Sequence, residues 1–276
     1  MNKEYKCLNH GFVRLVDVMG DDAAIVQAAR TSYGKGTKSV SEDRNLIRYL
    51  MRNKHTSPFE MVEFKFHIKL PIFVARQWIR HRTANVNEYS GRYSEMIDEF
   101  YIPEPNTIKK QSANNKQARA DDGFDEQYSN EIIQKMSATQ NNVFKEYKEF
   151  VDNGMAREIA RINLPLSIYT EWYWKIDLHN LLHFLGLRLD KHAQYEIRVY
   201  AEIIANILKQ IVPHTWEAFE DYVLNAINFS SPELKLLKKV IDSNYKIINK
   251  DCIDAGLGKS ETNDFFEKLE KIKNEF

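Results

Sequence analysis

The chain switches repeatedly between two hydrophobic rhythms, and the switches define its elements. Phe12 to Met19 (FVRLVDVM) is dense in β-branched and apolar residues and reads as a strand, punctuated by Gly20 and Asp21. Asp22 to Tyr33 follows at helical spacing, and Gly34 to Ser41 forms a Gly/Ser/Thr loop. Ser41 is placed to cap a helix over Asp43 to Asn53, whose Leu46, Ile47, Leu50 and Met51 share one face. In Phe64 to Leu70 (FKFHIKL) the period drops to two, the mark of a half-buried strand. Pro71 suits the first turn of a helix running to about Arg82, with Thr83 to Arg92 as a loop beyond it.

Further on, Thr107 to Asp125 is polar and reads as a mobile surface insertion. Glu126 to Val151 is a long amphipathic helix that Asn153-Gly154 ends. Arg157 to Asn163 is short and helical, closed by Pro165, and Ser167 to Lys175 (SIYTEWYWK) is aromatic and strand-like. Helical spacing returns over Leu178 to Leu187, Ala193 to Ile211 and Trp216 to Ile227. Ser231 to Phe276 has nine Lys and nine acidic residues in two short amphipathic stretches split by Gly256 and Gly258. That composition suits an appended helical cap or partner contact. The expected fold class is α+β (mixed α/β): one helix-rich domain with a small antiparallel sheet over residues 1–222, and a helical tail over 223–276.

Composition narrows the functional classes. Lys+Arg and Asp+Glu are both 39, so the formal net charge is zero. A surface built to coat nucleic acid or an anionic membrane is excluded, while a local basic pocket for a phosphorylated ligand is not. The two cysteines, Cys7 and Cys252, lie far apart, which argues against a disulfide framework and for a reducing cytoplasm. Met1 to Lys6 is polar, and no stretch approaches the roughly 20 apolar residues of a membrane span.

Chemistry concentrates in one window. If Arg76 to Arg82 (RQWIRHR) is helical, Arg76 stacks over Arg80 and Gln77 over His81. The following loop carries Asn87, Glu88, Ser90, Gly91 and Arg92, and a Ser-Gly-Arg turn offers N–H groups, a hydroxyl and a guanidinium to one phosphate. Gly91 would permit close approach of the backbone to such a ligand. Arginines this close, with few acidic neighbours, need a counter-charge, and a bound phosphate supplies it.

Arg80-His81-Arg82, seven residues and then Ser90-Gly91-Arg92-Tyr93 resemble the signature of the flavin-dependent thymidylate synthases. His55-Thr56-Ser57-Pro58-Phe59-Glu60, Pro71 to Trp78, Ala160-Arg161 to Leu166 and Leu187-Arg188 to Glu196 are similar to further family segments, in the expected order. The likeness covers about Gly11 to Tyr222, leaving the 107–125 segment and the tail outside it. It implies an enzyme that makes dTMP from dUMP, with methylenetetrahydrofolate as carbon donor and NADPH as reductant through FAD. It further implies that Gln77, Trp78, Ile79, Arg80, Glu88, Tyr89, Ser90, Gly91, Arg92, Arg161 and Arg188 hold dUMP. Ser57, Arg80, His81, Arg82, Asn87, Glu88, Asp177, His179 and His183 would surround FAD. Arg188, His55, Ser90 and Tyr93 would stand closest to the chemistry, Arg188 by stabilising charge that develops on the pyrimidine. The same resemblance implies a homotetramer whose active sites are shared between subunits.

Other readings compete. A covalent thiolate mechanism fits poorly, since neither cysteine has a basic or histidine-bearing motif around it. Ser90 as nucleophile lacks a base at arguable spacing. His179 and His183 have metal-like i, i+4 spacing, but Asn180 stands where a zinc peptidase needs Glu, so no metal is expected. The run Tyr169, Trp172, Tyr173, Trp174 suits core or interface better than base stacking, and His10, His67, His192 and His214 suit structural roles. A polymer-binding module would carry a positive net charge. A closer rival is a flavin enzyme that hydroxymethylates dCMP, although Arg188 suits an anionic uracil better than a neutral cytosine.

Overall fold

Strand β3, Glu63–Pro71, organises the molecule. Its alternate residues Phe64, Phe66, Ile68 and Leu70 are fully buried, while Glu63, Lys65, His67 and Lys69 are half-buried on the other face. That alternation is what the period-two pattern demands of a strand with one face on a core. In this computed structural model, which describes residues 1–31, 40–113, 116, 118–231, 234 and 248–275, β3 is the centre of a five-stranded antiparallel sheet. It pairs with β2 (Gly11–Met19) and β7 (Tyr169–Asp177), and β1 (Glu4–Cys7) and β4 (Asn85–Glu88) form the edges in the order β1-β2-β3-β7-β4. Register sets Phe66 opposite Leu15 on one side and Trp174 on the other.

Helices α1 (Asp22–Thr31), α3 (Ile72–Trp78), α6 (Leu178–Arg188) and α7 (Tyr195–Ile211) contribute buried residues to the core on the apolar face of the sheet. Trp78 is the hub: fully buried, it meets Trp172, Trp174, Phe184 and Tyr200 with ring centroids 4.6–5.9 Å apart. Each large side chain buried this way stabilises the fold by about 1.5–3 kcal/mol. Asp22 opens α1, and its carboxylate accepts from the backbone N–H groups of His214 and Thr215 at the start of α8 (Pro213–Phe219). It thereby caps a helix far away in sequence. Arg48 of α2 (Val40–Arg52), 8% exposed, reaches Glu217 and Asp221 at 3.0 and 2.6 Å. Helix α4 (Glu126–Asp152) is capped by Asp125 at its start and turns out through Gly154 at φ +86°.

Several expectations need correction. Helix α3 stops at Trp78 rather than running to Arg82, and Arg80, His81 and Arg82 lie beyond its end, past a turn. Thr83 to Arg92 is not all loop, because Asn85–Glu88 pairs with Trp172–Lys175 as strand β4. The polar 107–125 segment folds in part as a hairpin, β5 (Lys109–Gln111) against β6 (Arg119–Gly123). Helix α2 begins at Val40, so Ser41 lies within it rather than capping it. Most of the Gly34 to Ser41 loop lies outside the described residues. The helix expected over Trp216 to Ile227 is α8 followed by a π-helical turn, Glu220–Leu224.

The chain divides into two compact units, Met1–Leu224 and Asn225–Phe276. The second contains helices Asn249–Asp254 and Lys259–Glu275, with Gly256 at φ +86° between them. Among the described residues no helix is long and apolar enough to cross a membrane.

Candidate active site

Pro71 ends β3 and serves as the N-cap of α3, which carries Gln77 in its last turn, and Arg80-His81-Arg82 emerge beyond Trp78. The anchored tryptophan fixes where this segment leaves the core. Gln77 Oε1 is buried with no hydrogen-bond partner among the described residues. Ile79, Arg80 and Arg82 are exposed. Trp78 has no exposed surface and serves as a packing anchor beneath this segment.

His81 turns toward α6. Arg188 Nε donates to His81 Nε2 at 3.0 Å, the Phe184 ring lies edge-on 4.9 Å from the imidazole, and the His183 ring is 6.1 Å away. Burial, then the Arg188 and His183 charges, lower the His81 pKa to about 4. His81 is therefore neutral at pH 7, with its proton on Nδ1, because Nε2 must accept. Burial also lowers the Arg188 pKa from its ordinary value.

A second cluster forms across the Ser-Gly-Arg turn. Tyr93 and Ser94 donate their N–H groups to the Ser90 carbonyl, closing the turn. A Cβ on Gly91 would lie 2.6 Å from Met96 Sδ and 3.3 Å from Arg161 Cδ, so glycine is required here by the protein's own packing. This places Arg161, in the 3₁₀ turn Arg161–Asn163, directly against the turn. Arg92 Nε is 3.6 Å from Glu158, both exposed, and Tyr93 is 79% exposed. Glu88 Oε1 accepts from the buried Thr170 hydroxyl at 2.8 Å, while Asn87 and Tyr89 are exposed beside it. Thr170 carries no sequence signal, since a threonine in a strand is ordinary; its partner appears only once β4 pairs with β7.

Asp177 caps α6, its two carboxylate oxygens accepting from the Asn180 backbone and side-chain amides at 2.9 and 2.7 Å. His179 is half-buried on the same helix. His55 is exposed, edge-on to Tyr49 at 5.7 Å, and the exposed Ser57 precedes a turn, Phe59–Met61, that packs on α6. Among the described residues no hydrogen bond or ring contact joins His55 or Ser57 to either cluster. No three His, Cys, Asp or Glu side chains converge as a metal site there.

Charge pairing separates this region from the rest. Arg30, Arg44, Arg48 and Arg119 each meet a carboxylate within 4.0 Å. Among the described residues Arg76, Arg80, Arg82, Arg161 and Arg188 meet none. Guanidinium groups that meet no carboxylate offer donors that fit phosphorylated ligands, a nucleotide and a dinucleotide cofactor included.

Fold and site together define an enzyme of anionic, nucleotide-like ligands, and the sequence agrees with the family model described as thymidylate synthase complementing protein over residues 14–214. The chain is 55% identical over 269 residues to a flavin-dependent thymidylate synthase of Wolbachia pipientis, covering 98% of this chain and 93% of that one. It is 54% identical to the enzyme of that name from Treponema denticola, covering 98% of both. Among solved structures, a UMP/dUMP methylase from Streptomyces cacaoi bound with 5-Br dUMP superposes with a TM-score of 0.72 at 33% identity, covering 78% of this chain and 96% of that one. The chain belongs to the flavin-dependent thymidylate synthases. At 98% coverage, the likeness to the relatives runs well into the C-terminal unit, past the end of the family model.

Proposed function

We propose that the protein methylates dUMP reductively to dTMP, taking the carbon from methylenetetrahydrofolate and reducing equivalents from NADPH, without a cysteine nucleophile. The observation that carries this reading is the set of arginines, Arg76, Arg80, Arg82, Arg161 and Arg188, that meet no carboxylate among the described residues. Family membership supports FAD as the cofactor, which when bound would supply hydride drawn from NADPH to reduce the transferred methylene-level carbon to the methyl group. The S. cacaoi methylase, a UMP/dUMP enzyme by name, favours a uracil nucleotide over dCMP.

In this reading Gln77, Arg80, Ser90, Gly91, Arg92 and Arg161 hold the nucleotide, with Ile79, Glu88 and Tyr89 beside it, and Trp78 supports the segment from the core. Arg188 stabilises negative charge developing on the uracil ring and so raises the nucleophilicity of C5. Ser57, Arg80, His81, Arg82, Asn87, Glu88, His179 and His183 hold the cofactor, and Asp177 serves it by capping the helix that carries the histidines. His55 and Tyr93 stand nearest the reacting groups. The exposed Tyr93, and the lack among the described residues of a bond from His55 to either cluster, suit a homotetramer in which a neighbouring copy completes each site. The two buried cysteines suit the absence of thiolate chemistry.

The test is direct. The purified protein should show an oxidised-flavin absorption spectrum that bleaches with NADPH, and should form dTMP when dUMP and methylenetetrahydrofolate are added. Bound flavin with no dTMP would reassign the substrate; protein that neither carries nor takes up FAD would overturn the reading.

A further inference from the structure

We infer that His81 is the positioning residue of Arg188, holding its guanidinium at one edge while leaving its charge intact for the nucleotide. The inference rests on the reading that Arg188 meets the pyrimidine, and assigns His81 a task beyond cofactor contact.

The geometry is specific. Arg188 Nε, on the inner edge of the guanidinium, donates to His81 Nε2 at 3.0 Å, which fixes the plane of the group and leaves its outer nitrogens for a ligand. The imidazole is itself held in place. Phe184 meets it edge-on at 4.9 Å and stacks on the buried Trp78 at 4.6 Å, so the core reaches the guanidinium through two rings. The choice of acceptor matters. Arg188 is half-buried, and among the described residues no carboxylate lies within ion-pair distance of it. Glutamate at position 81 would orient the guanidinium as well, but would neutralise the charge that the pyrimidine needs. Neutral imidazole orients without neutralising. The groups facing His81 from α6 are Arg188, His183 and Phe184, and Arg80 and Arg82 flank it in sequence. All the charge among them is positive or titrates to positive, which keeps His81 in its accepting form.

A double-mutant cycle tests this, read as dUMP affinity at saturating FAD so that any flavin contact of His81 is held constant. His81→Ala should weaken dUMP about tenfold in the native background and change nothing where Arg188 is already Ala. His81→Gln, which keeps an acceptor near the Nε2 position, should recover most of the loss. Equal losses in both Arg188 backgrounds, or Gln no better than Ala, would overturn the inference. Should His81→Ala not fold, His81→Gln against His81→Asn carries the same test, since only the longer amide reaches Arg188. Native enzyme that makes no dTMP would sink the functional reading alone. The pairing would then stand or fall on imidazole ¹⁵N shifts, with Nε2 unprotonated in the native protein if the pairing exists and tautomers mixed if it does not.

Discussion

The guanidinium of Arg119 lies 2.6 and 2.7 Å from the two carboxylate oxygens of Glu196, which is 77 residues further along the chain and 1% exposed. Tyr101 and Gln194 donate to the same carboxylate. Burial pushes the Glu196 pKa up, but the Arg119 bond and charge outweigh it and the net direction is down. A depressed carboxylate contributes stability above its unfolded pKa, near 4.5, and loses that contribution as pH falls through the folded value. Arg119→Ala should therefore destabilise by about 3 kcal/mol at pH 7, the cost of a buried charge left without its cation, and flatten the acid limb of the stability curve. Urea midpoints at pH 7 and pH 4 measure both; an unchanged midpoint at pH 7 would show that the hairpin contact is idle.

Removing the two active-site arginines should have separable effects. Arg161→Ala should mainly raise the KM for dUMP, because Arg161 sits against the Ser90-Gly91-Arg92 turn proposed to hold it. Arg188→Ala should lower kcat by about 10²–10³, the usual cost of one donor aimed at developing charge. Steady-state kinetics on flavin-saturated protein distinguish them, and a pure KM effect at Arg188 would remove it from the chemistry.

His81 should resist protonation. With its pKa lowered to about 4, the imidazole contributes stability that is present above its unfolded value of 6.5 and is lost as pH falls toward 4. Its NMR signals should not titrate between pH 7 and 5, and Arg188→Ala should move the transition upward. Titration near 6.5 in the native protein contradicts the buried contact.

Thiol chemistry should be dispensable. Burial pushes the Cys7 thiol up to about 12, and Cys252 is buried in the C-terminal unit. The native protein should react slowly with a thiol reagent, and Cys7→Ala with Cys252→Ala should keep near-native dTMP formation. A large loss of kcat in a folded Cys7 variant would reopen the thiolate route.

Asp177 should matter to stability more than to flavin. Asp177→Ala removes the α6 cap and should cost about 1 kcal/mol, lowering Tm by roughly 2–4 °C, with flavin content preserved. Asp177→Asn should keep both. Flavin loss in the alanine variant at unchanged Tm would make the carboxylate a cofactor ligand instead.

What the sequence makes legible follows from how each element is stabilised. Strands β2 and β3 and helices α4, α6 and α7 announce themselves because one face of each is buried, and burial writes a period into the residues. Strand β4 does not: Asn85, Asn87 and Glu88 have poor strand propensity, and only the hydrogen bonds offered by β7 make them extended. The hairpin at 109–123 is polar for the same reason, and its one buried obligation, Glu196, is not visible from Arg119. Helix α3 looked longer because Ile79 and the arginines continue helical spacing, yet the chain turns after Trp78 to bring His81 onto α6. The residues proposed to hold the nucleotide stand out in the sequence as a motif. The contacts that orient them, Thr170 on Glu88 and His81 on Arg188, join distant segments, and nothing local encodes them.

The packing around Trp78 has an optical consequence. Three of the four tryptophans form a single cluster in which Trp78 meets both Trp172 and Trp174 and reaches His81 through Phe184, while Trp216 packs against Phe219 instead. Intrinsic fluorescence is thus dominated by one spot in the molecule, next to the segment that carries the arginines. The protein has a built-in lamp beside its proposed ligand site, and emission should report occupancy and loosening there without any label.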